Sequence, residues 1–144
     1  MAWVASAIIG SFYQIIERLK KPFNPLLGET YELVTSEFRY YSEMVSHHPP
    51  IFCVNGQGKN YEMNFTGDCV IKFTGKKITC LDQNPREVIL YLPDGTKETY
   101  RCVPIQVLVG NLFLGQTFVE PVGKAMIICE STGDICEYEC KKRG

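Results

Sequence analysis

No charge of one sign dominates this chain. Fifteen Lys and Arg stand against sixteen Asp and Glu, a formal net charge of −1. So balanced a sequence has no global pull on nucleic acid or on an anionic bilayer, and any anion site must be a local arrangement. Long apolar runs are missing too. The opening stretch, MAWVASAIIGSFYQII, is interrupted by Ser6, Gly10, Ser11 and Gln14 and falls short of the roughly 18 strongly apolar residues of a membrane span. No basic-apolar-small leader opens the chain. None of the seven cysteines, at 53, 69, 80, 102, 129, 136 and 140, falls in a Cys-x-x-Cys pair. An odd number without pairing reads as reduced thiols in a cytosolic protein, with Cys136 and Cys140 placed on one strand face as small hydrophobes. No βαβ rhythm, internal repeat or low-complexity linker is visible. That excludes a parallel nucleotide-binding sheet and points to a single unit.

What is present favours strands. The 144 residues are enough for one domain with a core. Hydrophobic residues make up 45% and charged ones 22%, so disorder is not the default. Eight Tyr and eight Phe against one Trp favour β structure. The first segment is the exception. Val4, Ile8, Ile9, Phe12, Ile15, Ile16 and Leu19 recur at three- and four-residue steps, which predicts a helix with one apolar stripe. Lys20 and Lys21 suit its C-terminus, and Pro22 ends it. The opposite face lacks the basic density of an interfacial helix, so the stripe is expected to pack on a sheet.

From Glu29 onward the pattern predicts strands over 29–35, 38–45, 51–54, 60–65, 69–73, 77–81, 87–92, 97–102, 125–130 and 135–140. Turns are expected at Ser36-Glu37, Asn55-Gly56, Thr66-Gly67, Thr74-Gly75, Asn84-Pro85, Pro93-Asp94-Gly95 and Ser131-Thr132-Gly133-Asp134. The apolar stretch 104–115 fits a strand or a short buried helix. The fold class is therefore mainly β (α+β): an N-terminal helix, then an antiparallel meander bent into a sandwich or barrel wall.

Two segments carry chemistry: Lys21-Pro22-Phe23-Asn24-Pro25-Leu26-Leu27-Gly28-Glu29 and Ser46-His47-His48-Pro49-Pro50. One immediately precedes the first strand of the predicted hairpin; the other follows its partner. In an antiparallel pair those two ends lie side by side, so Lys21, Asn24, His47 and His48 belong at one end of the sheet. Lys offers a charged donor, Asn an amide donor and each His a ring N–H. Such a set suits a phosphate, which in turn favours the charged imidazole. The flanking prolines limit the ordering cost on binding. The alternatives are a solvated Lys, a turn Asn and a surface His pair. A zinc site lacks finger-spaced further ligands, and a His-dependent hydrolase lacks a nucleophile elbow.

The second motif, preceded by Ser42-Glu43-Met44-Val45, resembles the fingerprint of the oxysterol-binding-protein-related family. KPFNPLLGETY, from Lys21 to Tyr31, is similar to that family's other signature. Weaker similarity continues through Val109–Gly115 and Ser131–Asp134. The resemblance implies an incomplete antiparallel β-barrel around a lipid tunnel, with a sterol or phospholipid buried inside. It implies a non-enzymatic role in lipid binding and non-vesicular transfer, without cofactor or metal. His47 and His48 would bind the 4-phosphate of phosphatidylinositol 4-phosphate; Lys21, Asn24 and the Phe23 backbone would contact its headgroup. Sterol or phosphatidylserine would be the exchanged ligand, at transient peripheral membrane contacts in the cytoplasm. The family usually has Gln where Met44 stands, a change expected to affect packing beside the motif. The family's domain is much longer, so residues 1–144 are expected to be a partial domain lacking lid and C-terminal half. The alternative to the transfer role is a fragment that binds headgroups without transferring lipid, and open sheet edges leave a route to self-association.

Overall fold

The apolar stripe at the start of the chain does become a helix packed on a sheet. The structure is a computed structural model describing residues 1–12 and 22–142. Helix α1 spans Ala2–Ser11. Val4, Ala5, Ile8 and Phe12 are buried against Tyr100, Cys102, Ile105, Ala125, Ile127 and Cys129. Their spacing follows one face of a 3.6-residue turn. Ile9, expected in the stripe, points away and is half exposed. Ile15, Ile16, Leu19, Lys20 and Lys21 lie outside the described residues.

The described residues form ten antiparallel strands: β1 (Thr30–Val34), β2 (Phe38–Ser46), β3 (Ile51–Gly58), β4 (Tyr61–Phe73), β5 (Ile78–Asp82), β6 (Arg86–Tyr91), β7 (Lys97–Cys102), β8 (Gln106–Gly110), β9 (Phe118–Cys129) and β10 (Ile135–Cys140). The stretch 104–115 thus resolves as a strand and the start of a loop. β1 to β4 form a meander, with β1 at its outer edge. At β4 the sheet forks. Tyr61–Asn64 pair with β6, whereas Cys69–Phe73 pair with β5. The two branches meet again at β9, which pairs β8 along Phe118–Val122 and β7 along Ile127–Cys129. The strands make a ring that does not close as a barrel, because β4 and β9 each divide an edge between two partners.

Two predicted turns are instead strand interior. Asn55-Gly56 lies within β3 and Thr66-Gly67 within β4. The reason is packing. The Phe52 ring covers Gly67 so closely that a Cβ there would stand 2.2 Å from a ring carbon. Asn55 donates from its amide to the Asn64 side chain at 2.6 Å across the β3–β4 pair. A glycine in a strand here marks the close approach of a neighbouring side chain, a role sequence composition does not separate from a turn. The other turns form as expected. Around Pro93-Asp94-Gly95, Asp94 accepts from the Thr96 backbone N–H at 2.9 Å and its hydroxyl at 2.7 Å.

Ile127 is 0% exposed where α1 crosses the sheet. Ile127→Ala removes three buried carbons and leaves a cavity, which costs about 2–5 kcal/mol. Urea unfolding should show that loss. A change below about 1 kcal/mol would mean that α1 does not hold this core together.

Candidate functional site

The β1–β2 hairpin is fixed at both ends by local hydrogen bonds. At its turn the Thr35 hydroxyl accepts from the backbone N–H groups of Glu37 (3.2 Å) and Phe38 (3.0 Å). At its open end, the approach to β1 is stitched to the end of β2. The Gly28 N–H donates to the Met44 carbonyl at 2.8 Å, and the Met44 N–H to the Glu29 carbonyl at 3.1 Å. Gly28 adopts φ +77°, a conformation glycine alone takes without strain. The Glu29 carboxylate folds back to accept the Leu26 N–H at 2.6 Å. The segment carrying Phe23 and Asn24 therefore reaches the sheet beside the strand end that carries the histidines.

A bulge then re-aims that strand end. Met44 lies opposite Phe52, but Ser46 lies opposite Ile51, so Val45 is extra. Bulges of this kind turn a strand and redirect the following side chains. Met44 is buried beneath the motif. His47 and His48 emerge exposed, their rings 4.3 Å apart and tilted at 52°. The His48–Pro49 peptide is cis. Phe23 and Asn24 are exposed. Lys21 lies outside the described residues. The structure thus joins Gly28 and Glu29, at the end of the first motif, to Met44, just before the second, in the sense of the hairpin argument; Phe23 and Asn24 lie upstream of that contact.

Sequence reasoning expected an interior space but did not mark the polar groups on its lining. A cavity of about 180 Å³ lies there, lined mostly by apolar groups including Ile8, Phe12, Phe52 and Ile105. Two buried polar atoms on its lining, Arg86 Nε and the Tyr138 hydroxyl, have no hydrogen-bond partner among the described residues. The Arg86 guanidinium sits 5.0 Å over the Phe65 ring. No sequence signal marks Arg86, since a basic residue after Asn84-Pro85 reads as solvated. Cys69 and Cys80 share the same lining. The interaction between the two thiols draws Cys80 below the ordinary thiol range and pushes Cys69 above it. Among the described residues no group of three or more His, Cys, Asp or Glu side chains is placed to hold a metal ion. No described helix is long and apolar enough to cross a membrane.

Comparison with known proteins gives a consistent picture. The chain matches the oxysterol-binding protein family over residues 1–144. It is 38% identical to mouse oxysterol-binding protein-related protein 2, over 100% of this chain and 30% of that protein. Human oxysterol-binding protein-related protein 1 is 37% identical over 100% of this chain and 15% of its own length. Among solved structures, the Osh1 ORD domain in complex with ergosterol superimposes with a TM-score of 0.92 at 29% identity. That alignment covers 99% of this chain and 35% of the other. The Osh3 ORD in complex with PI(4)P, from Saccharomyces cerevisiae, gives a TM-score of 0.84 at 32% identity, covering 97% and 38%. The chain therefore spans less than a third of these curated relatives and little more than a third of these solved domains.

Proposed function

The chain belongs to the oxysterol-binding protein family, and from that premise we propose that it recognises the phosphorylated inositol headgroup of phosphatidylinositol 4-phosphate as part of a cytoplasmic lipid-binding and lipid-transfer domain. The role is one of binding, not catalysis. His47 and His48 hold the 4-phosphate, and Lys21, Asn24 and the Phe23 backbone complete the headgroup site. One observation carries the reading: the Gly28–Met44 and Met44–Glu29 hydrogen bonds lock the two motifs to the same end of one hairpin. The Osh3 domain in complex with PI(4)P supports the ligand class, and the Osh1 domain in complex with ergosterol supports a sterol as the exchanged lipid.

A narrower reading has its own support. The interior cavity of about 180 Å³ is smaller than the roughly 300–1,000 Å³ of pockets that enclose a small-molecule ligand. On this reading the described wall recognises a headgroup and does not by itself enclose the lipid.

Calorimetry with a water-soluble inositol 4-phosphate headgroup tests the site. Lys21→Ala is expected to weaken binding about tenfold or more, the loss of one charge-assisted hydrogen bond. Lys76→Ala and Lys77→Ala, in the β4–β5 turn, should change it little. Equal losses from all three would point to bulk attraction and overturn the local site.

A further inference from the structure

The charge balance of the whole chain does not hold locally. Residues 69–79 and 105–119 contain no Asp or Glu, yet they hold Lys72, Lys76 and Lys77. The fold sets these two stretches side by side. β5 pairs β8 with Ile78 opposite Val109. The Leu112 N–H donates to the Lys76 carbonyl at 3.5 Å, and the Phe73 and Phe113 rings meet edge-on at 6.5 Å.

At this tip the large apolar side chains face outward. Phe73 is 61% exposed, Phe113 74% and Leu114 83%. The three lysines around them are exposed as well. Single exposed apolar residues are ordinary, but a cluster of them asks for a partner. An apolar tip with a collar of lysines and no acid matches the boundary of an anionic bilayer, where acyl chains lie beneath negative headgroups. The register also aims it. Ser46 pairs Ile51, and Ile51 pairs Asp68, so the His47–His48 loop lies level with Asp68. β4 continues five residues further to Phe73, roughly 17 Å along the strand. The tip therefore projects from the same end of the sheet as the two histidines.

We propose that the Thr74–Lys77 turn and the Asn111–Thr117 loop form a membrane-docking tip, with Phe73, Phe113 and Leu114 entering an anionic bilayer and Lys72, Lys76 and Lys77 at its headgroups. This surface is separate from the headgroup site and requires no phosphoinositide. It presents the histidine end of the sheet to the lipids it would read.

The test uses vesicles free of phosphoinositide, so the headgroup site is not under trial. Leu114→Trp in a Trp3→Phe background leaves one tryptophan, at an exposed loop position that does not hold the fold. Its emission should shift to the blue with phosphatidylcholine–phosphatidylserine vesicles and be quenched by brominated acyl chains. Replacing the three lysines by Glu should weaken that vesicle binding by at least about 100-fold, roughly fivefold for each lysine lost. Raised salt should weaken binding of the parent chain in the same sense. Emission unmoved by anionic vesicles would overturn the proposal. So would a blue shift that grows with protein concentration without vesicles, which would assign the tip to a second copy of the chain.

Discussion

His47→Ala combined with His48→Ala is expected to lower affinity for a soluble inositol 4-phosphate headgroup at least about 100-fold, with the unfolding midpoint unchanged. Hydrogen bonds to a charged group contribute about 1.5–3 kcal/mol each. Two of them amount to about 3 kcal/mol at the low end, and 1.4 kcal/mol is a factor of ten. Stability should not follow. Both imidazoles are exposed, and substitutions at such positions usually stay within about 0.5 kcal/mol. Calorimetry and urea unfolding on the same variant separate the two effects. A variant that unfolds more easily while its folded fraction binds normally would make the histidines structural.

The second large effect concerns transfer. Extraction requires acyl chains or a sterol to leave the bilayer for an apolar enclosure, and each buried methylene contributes about 0.8 kcal/mol. Headgroup bonds do not substitute for this, since they are equally available to a lipid still seated in its membrane. Failing to bury even four methylenes forfeits about 3 kcal/mol, more than 100-fold. Against a full-length domain such as that of Osh3, of which this chain covers 38%, transfer by residues 1–144 should run at under about 1% of the rate. Headgroup-dependent vesicle flotation should persist. Transfer at a comparable rate would show that the small interior cavity opens into a complete tunnel.

The parts of the fold that depend on neighbours in sequence were the legible ones. β7 and β10 fall on the predicted residues, because each is bounded by strong turn chemistry at Gly95 and Gly133. The β1–β2 hairpin was legible for the same reason, and with it the meeting of the two motifs. Non-local packing was not. Whether Gly56 and Gly67 turn or stay extended depends on Tyr40, Met63 and Phe52 from other strands. The fork at β4 depends on pairings with β5 and β6 that no local pattern encodes. Arg86 faces the ring interior for that topological reason alone. The bulge at Val45 that turns out His47 and His48 likewise appears only with the β2–β3 register.

The two imidazoles offer the most direct test, since they are the chain's only histidines and their ring protons give resonances free of overlap with others of their kind. Proton NMR would follow both through a pH titration, first alone and then saturated with the soluble headgroup. A phosphate held against both rings favours their charged form, so both midpoints should move upward with inositol 4-phosphate and stay in place with unphosphorylated inositol. Midpoints that do not move while calorimetry still records binding would place the phosphate elsewhere and contradict the account.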